Sequence, residues 1–131
     1  MKNIFPAVTV GVLLAAMPVQ AHHAFAAVYD SKKPITFTGK ITKVEWANPH
    51  IFYYVDVTNS NGKVINYAIE GGPPNTLLRA GWRKDTLKPG ETVTVDGFLA
   101  KDGSNNVNGR SVTTADGKKV FAGSNDGAPG L

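Results

Sequence analysis

The sequence predicts an all-β fold with one short helix, a small OB-like closed antiparallel barrel of five to six strands. Three observations predict it. From Pro34 onward the chain reads as short alternating apolar and polar runs separated by turn residues. The first run is long and its alternation slips phase. A helix bounded by proline and glycine falls between the third and fourth runs. Three strands, a short helix and two more strands is the order of an OB-type barrel, in which a coiled first strand joins both sides of the closed sheet.

The first strand, "ITFTGKITKVEW", places Ile35, Phe37 and Ile41 on one face and Val44 and Trp46 on the other. A bulge or sharp coil between Ile41 and Val44 returns both groups to one core. After "NPH", the run "IFYYVDV" turns Ile51, Tyr53, Val55 and Val57 inward, and Asn61-Gly62 is a tight-turn signal. "KVINYAIE" then brings back Ile65, Tyr67 and Ile69. "GGPPNTLLRAGW" cannot be a strand; Asn75 or Thr76 is placed to cap a helix through Leu77, Leu78 and Arg79, closed by Gly81. "ETVTVDGFLA" is a fourth strand with Val93, Val95 and Leu99 inward, "VNGRSVTT" a fifth, and "DGKKVF" a short sixth. Gly39 and Gly97, each inside a strand, suit barrel corners.

Residues 1–21 have the grammar of a secretory signal: Lys2, the uncharged run from Ile4 to Met17, Pro18, and the small-residue site Val19-Gln20-Ala21. That run falls short of the roughly 20 apolar residues that span a bilayer. A rival cut after Ala26 would discard both nearby histidines. The expected organisation is a signal at 1–21, an N-terminal arm at 22–34, a barrel domain at 35–122 and a flexible tail at 123–131. Losing Lys2 with the signal lowers the formal charge from +4 to +3, and the basic residues are scattered, which points away from nucleic acid. With no cysteine in the chain, thiolate metal sites and thiol redox chemistry are excluded.

The motifs "HHAF", "YD..KPI", "KVEWANPH", "GGPPNTLLRAGW", "LKPGETVTVDG" and "AKDGSNN" occur in that order. Together they resemble a family of small secreted bacterial proteins catalogued only as a domain of unknown function. The resemblance implies an exported, periplasmic, stand-alone domain and supplies no reaction or ligand.

Three histidines are present, His22, His23 and His50. Cleavage after Ala21 makes His22 the first residue, so its free amine and ring nitrogen can chelate one metal ion. The α-amino group titrates at about 7.7 to 8.0 and imidazole near about 6.5, so both yield a proton to a metal near neutral pH. A second ring, from His50, would complete a planar nitrogen set suited to Cu(II). Zn(II), which prefers four tetrahedral ligands, would need His23 or a carboxylate as well. The first strand spans roughly 35 to 40 Å. An extended arm over residues 22–34 reaches about 43 to 47 Å, enough to run back to His50. The plainer reading is that the terminal histidines are only tolerated by the peptidase and that His50 bonds across its turn.

Glu45 and Glu70 are expected at strand ends near the His50 turn, as rim charges unless a cleft holds them as an acid–base pair. Phe52 and Tyr54 point away from the core and, with Glu45 and Glu70, form a candidate face for a protein or small ligand. Lys43, Lys63 and Arg110 would make the same face a stacking platform for single strands, which the compartment and low charge oppose. No G-x-S-x-G elbow, phosphate loop or H-E-x-x-H is present, so a self-contained enzyme is not expected. The leading expectation is a periplasmic binding protein for copper, acting alone or with another exported protein. The alternatives are a metal-free binding module and, more weakly, a metal-dependent enzyme.

Overall fold

The computed structural model describes residues 20–121 and Gly123. Its elements run α1 (Gln20–Val28), β1 (Tyr29–Glu45), β2 (Phe52–Thr58), β3 (Val64–Glu70), α2 (Pro74–Arg79), β4 (Thr92–Ala100), β5 (Asn106–Thr114) and β6 (Lys119–Phe121). The strands lie in the order β3-β2-β1-β4-β5-β6, and a β3–β5 pairing closes the sheet into a ring. The expected OB-like barrel is present.

β1 is the strand that makes closure possible. Its first part pairs with β4 up to Lys40, and from Lys40 onward it pairs with β2. The phase slip in the sequence is a bulge between Ile41 and Lys43. It lets Val44 and Trp46 pack against the same core as Ile41 and Phe37. Gly39 sits at the changeover, where a Cβ would fall 2.3 Å from the Asp56 carbonyl oxygen. Gly97 marks the matching corner in β4, beside a second bulge, with its Cβ position 2.3 Å from the Asn108 carbonyl oxygen.

One seam departs from the antiparallel expectation: Ala68–Glu70 pair parallel with Asn106–Asn108. The closed ring contains five strands, β1, β2, β3, β5 and β4. Alternating directions cannot close an odd ring, so one parallel pair is a geometric necessity. β6 lies outside it, paired to β5 at Ser111–Thr113.

The interior is filled as the alternation predicts. Ile51, Tyr53, Val55, Ile69, Val93, Val95, Val107 and Val112 are buried in one cluster. Leu77 and Trp82 close one side of it from α2 and the segment after it. The helix begins differently from expectation. Pro73 is the N-cap and Pro74 the first helical residue, with no side-chain cap from Asn75 or Thr76. Proline at the first position needs no donor and has its φ already set, so the entry works without a capping side chain. The exit is as expected. Gly81 takes φ +96°. Its amide and that of Trp82 donate to Leu78 and Leu77 oxygens at 3.1 and 2.9 Å, a Schellman closure that also packs Trp82 near Leu77.

The N-terminal arm is the largest difference. Residues 20–28 are helical, and β1 begins at Tyr29, well before Ile35. The reason is local: the segment is rich in alanine, the best helix former. Phe25 and Tyr29, four residues apart, stack with ring centres 5.8 Å apart. Phe25 also meets Phe98 edge-on at 5.5 Å, and these rings with Ala100 make a second buried cluster outside the main core. The Lys101 amide donates to the Val28 oxygen at 2.8 Å, and its ammonium donates to the Ala26 oxygen. Between Tyr29 and Pro34 the strand bulges away from β4 before regular pairing resumes.

The signal expected at 1–21 lies outside the described residues up to residue 19, and the tail does so apart from Gly123, which is buried beside Gly72. Among the described residues no helix is long and apolar enough to cross a membrane.

Candidate functional site

His50 follows a bend at Asn48–Pro49, whose peptide bond is cis. Ile51, next in the chain, is buried and exchanges backbone hydrogen bonds with Gly71 and Gly72 at 2.9 and 3.1 Å. This ties the turn to the segment leaving β3, whose last residue is Glu70. β2 and β3 pair in a register that sets Phe52 opposite Glu70.

The side chains meet accordingly. His50 Nδ1 lies 2.6 Å from Glu70 Oε1. The Tyr29 hydroxyl donates to Glu70 Oε2 at 2.5 Å. Glu70 therefore joins three distant parts of the chain: the α1–β1 junction, the turn before β2 and the end of β3. The side chains of His50 and Glu70 keep 25% and 18% exposure, enough for contact with solvent without losing a fixed geometry. Tyr29, at 5% exposure, is held by Phe25 and Phe98.

Beside this cluster lies the aromatic face. Alternation along β2 buries Tyr53 and Val55 and leaves Phe52 and Tyr54 half-exposed on the outside. The register places Glu45 opposite Phe52, so Phe52 sits between Glu45 and Glu70 across three strands. Glu45 has its own partners, Lys43 at 2.5 Å and the Tyr54 hydroxyl at 3.1 Å. Lys43 also stands 5.6 Å from the centre of the Tyr54 ring. The Lys43 ammonium and then the Tyr54 hydroxyl hold the Glu45 carboxyl below the usual carboxylate range. Loss of solvent, then the neighbouring Glu45, pushes the Tyr54 phenol up.

The structure thus brings His50, Glu70, Phe52, Glu45 and Tyr54 onto one outer face. Glu45 and Glu70 divide between two sets of partners, so nothing in their contacts makes them an acid–base pair. Arg110 is buried and Lys43 is paired, which weakens the stacking-platform reading. His22 and His23 belong to α1, but their side chains lie outside the described residues. His22 precedes Tyr29 by two helical turns, roughly 10 Å along the axis. The extended arm is therefore not what brings the N-terminal segment toward His50: β1 begins at Tyr29, whose hydroxyl is already on Glu70. Among the described residues no group of three or more His, Cys, Asp or Glu is arranged to hold a metal.

The sequence offers Tyr29 only as an apolar residue that, with Phe25 and Val28, pins the arm; its hydroxyl bond to Glu70 is the part the pattern does not show. The signal for its seating is the spacing of Phe25 and Tyr29, one helical turn apart in an alanine-rich stretch. A shallow hollow lined by Phe25, Ala26, Tyr29, Asp30, Lys32 and Lys101 opens beside it.

No curated protein matches the chain. A family described only as a family of unknown function, DUF6152, matches residues 10–109, most of the sequence and nearly all of the barrel. The chain belongs to that family of unknown function.

Proposed function

We propose that this protein is exported and, after cleavage at Ala21, binds a metal ion, copper first, through the amine and ring of His22 and the ring of His50. Its role is to carry or sequester the ion, alone or for another exported protein. The observation that carries the reading is the contact of 2.6 Å between His50 Nδ1 and Glu70. Metal-bound histidines commonly give their second ring nitrogen to a carboxylate, and His50 has that partner in place. Zn(II) is the weaker candidate because a closed tetrahedral site asks for one or two further donors.

The test begins with intact mass. Protein recovered after export should begin at His22; a start at Ala27 removes the amine chelate and ends the reading. Cu(II) titration of that protein should then saturate near one equivalent with a nitrogen-rich tetragonal signal. One extra residue before His22 displaces the amine while keeping the ring, and should weaken binding at least tenfold. Binding should also weaken at lower pH, because protons compete with the metal for the same nitrogens.

A second reading has its own support: Phe52 and Tyr54, half-exposed on the β1–β2–β3 face, suit a protein or small ligand. If the extended protein binds copper as tightly as the native one, this metal-free binding module replaces the first reading.

A further inference from the structure

We infer that Glu70 is the positioning residue of the His50 site: it fixes the ring proton on Nδ1, leaves Nε2 as the ligand-taking atom, and through Tyr29 makes that arrangement depend on docked α1. The inference deepens the copper reading, and its binding arm rests on it. The assignment of the ring proton does not.

The chemistry follows from donor and acceptor counts. An ionised carboxylate only accepts hydrogen bonds. Each oxygen of Glu70 has a partner, Tyr29 at Oε2 and His50 at Oε1. The Tyr29 hydroxyl supplies its own hydrogen, so the neutral imidazole must supply the other from Nδ1. In neutral imidazole only one nitrogen carries hydrogen. Nε2 then holds the lone pair, on a side chain that keeps 25% exposure.

The second half concerns what holds Glu70. Its outward position on β3 is opposite Phe52 on one side and Asn108 on the other, so the strands fix its backbone. The carboxylate itself is oriented by Tyr29, which α1 seats through the Phe25 and Phe98 rings. A ligand that engages Nε2 increases the pull of the Nδ1 proton on Glu70. Occupancy of His50 and seating of α1 are therefore linked, and linkage of this kind is reciprocal.

The experiment uses protein recovered after export, labelled with nitrogen-15 and metal-free at about pH 8, above the ordinary imidazole range. Long-range nitrogen–proton correlations should show His50 protonated at Nδ1 alone. Glu70→Ala should convert it to a mixture dominated by the Nε2-protonated form usual for free imidazole, whereas Glu70→Gln, whose amide oxygen still accepts, should keep the Nδ1 form. Tyr29→Phe, which frees the carboxylate from α1, should shift part of the population to the Nε2-protonated form and raise amide exchange across 24–28; an unchanged tautomer there overturns the link to α1. In the binding arm, Glu70→Ala should lower Cu(II) affinity by about 10- to 100-fold, and Glu70→Gln by less. An Nε2-protonated His50 in the native protein, or a native tautomer unchanged in Glu70→Ala, overturns the inference. If the native protein takes no copper, the copper reading fails and the nitrogen spectra alone decide the role of Glu70.

Discussion

Glu70 and Asp96 occupy similar places and do different things. Both stand on the outside of the sheet, with side chains 18% and 21% exposed, and both accept from side chains distant in sequence. Asp96 takes the Thr36 hydroxyl at 2.7 Å and the Ser111 hydroxyl at 2.9 Å, with Lys119 at 3.3 Å. Its donors come from β1, β5 and β6, strands already held by backbone ladders. Every donor there is a hydroxyl or an ammonium that has finished its work once it meets the carboxylate. Glu70 instead holds an imidazole, which has a second nitrogen still able to act. The same residue class makes a staple in one place and orients a reactive group in the other, and the difference lies in what is held.

The largest effect that separates the two is on binding. Glu70→Ala should lower copper affinity by about 10- to 100-fold, while Asp96→Ala should leave it within about twofold in a calorimetric titration. Equal losses in both variants would erase the distinction and point to a shared structural cause.

Both variants should also lose stability. Asp96→Ala removes the acceptor of two hydroxyls and an ammonium across three strands, which costs about 1 to 2 kcal/mol on ordinary hydrogen-bond magnitudes. Urea unfolding should show a lower midpoint with an unchanged slope. The residues opposite these two carboxylates on β5, Asn108 and Ser111, are three apart, roughly 10 Å along the strand. The two losses in a double variant should therefore add. Marked non-additivity would mean the two carboxylates belong to one network.

Acid sharpens the comparison further. The Thr36 hydroxyl, with Ser111 and Lys119 behind it, holds the Asp96 carboxyl below its usual range against the opposing effect of burial. A depressed folded value means the contribution is whole above the unfolded value, near about 3.9, and is lost as pH falls through the folded one. Asp96→Asn should therefore lose less stability than the native chain between about pH 5 and pH 2. A parallel decline in both would show that other groups carry the acid limb.

How much of this was legible depends on the range of the interaction. The bulge in β1 was legible because a phase slip between Ile41 and Val44 is a local property of the pattern. The exit of α2 was legible because Gly81 announces itself. The entry was misread because Asn75 and Thr76 look like caps while Pro74 does the work from a position that needs none. α1 was missed because an alanine-rich stretch after a signal reads as a passive arm, although Phe25 and Tyr29 carry helical spacing. The pairing of Glu70 with His50, rather than Glu45, was open in the sequence. The Tyr29 bond to Glu70 was beyond the pattern, because it depends on barrel closure, which brings the start of β1 and the end of β3 together over a separation of 41 residues.

The smallest effect comes from Lys119, and it marks the limit of the staple. Its ammonium is 3.3 Å from Asp96, yet the side chain is 61% exposed and sits on the three-residue strand at the edge of the sheet. Water screens such a pair, and ordering a long side chain costs most of what the contact returns. Lys119→Ala should therefore change unfolding free energy by less than about 0.5 kcal/mol, and Lys119→Met should do the same. Thr36→Val, which removes a shorter hydrogen bond over a ladder between β1 and β4, should cost about 1 kcal/mol. If the lysine variants proved the costlier, the attraction of charge would hold Asp96 in place, and the hydroxyl geometry that distinguishes it from Glu70 would be incidental.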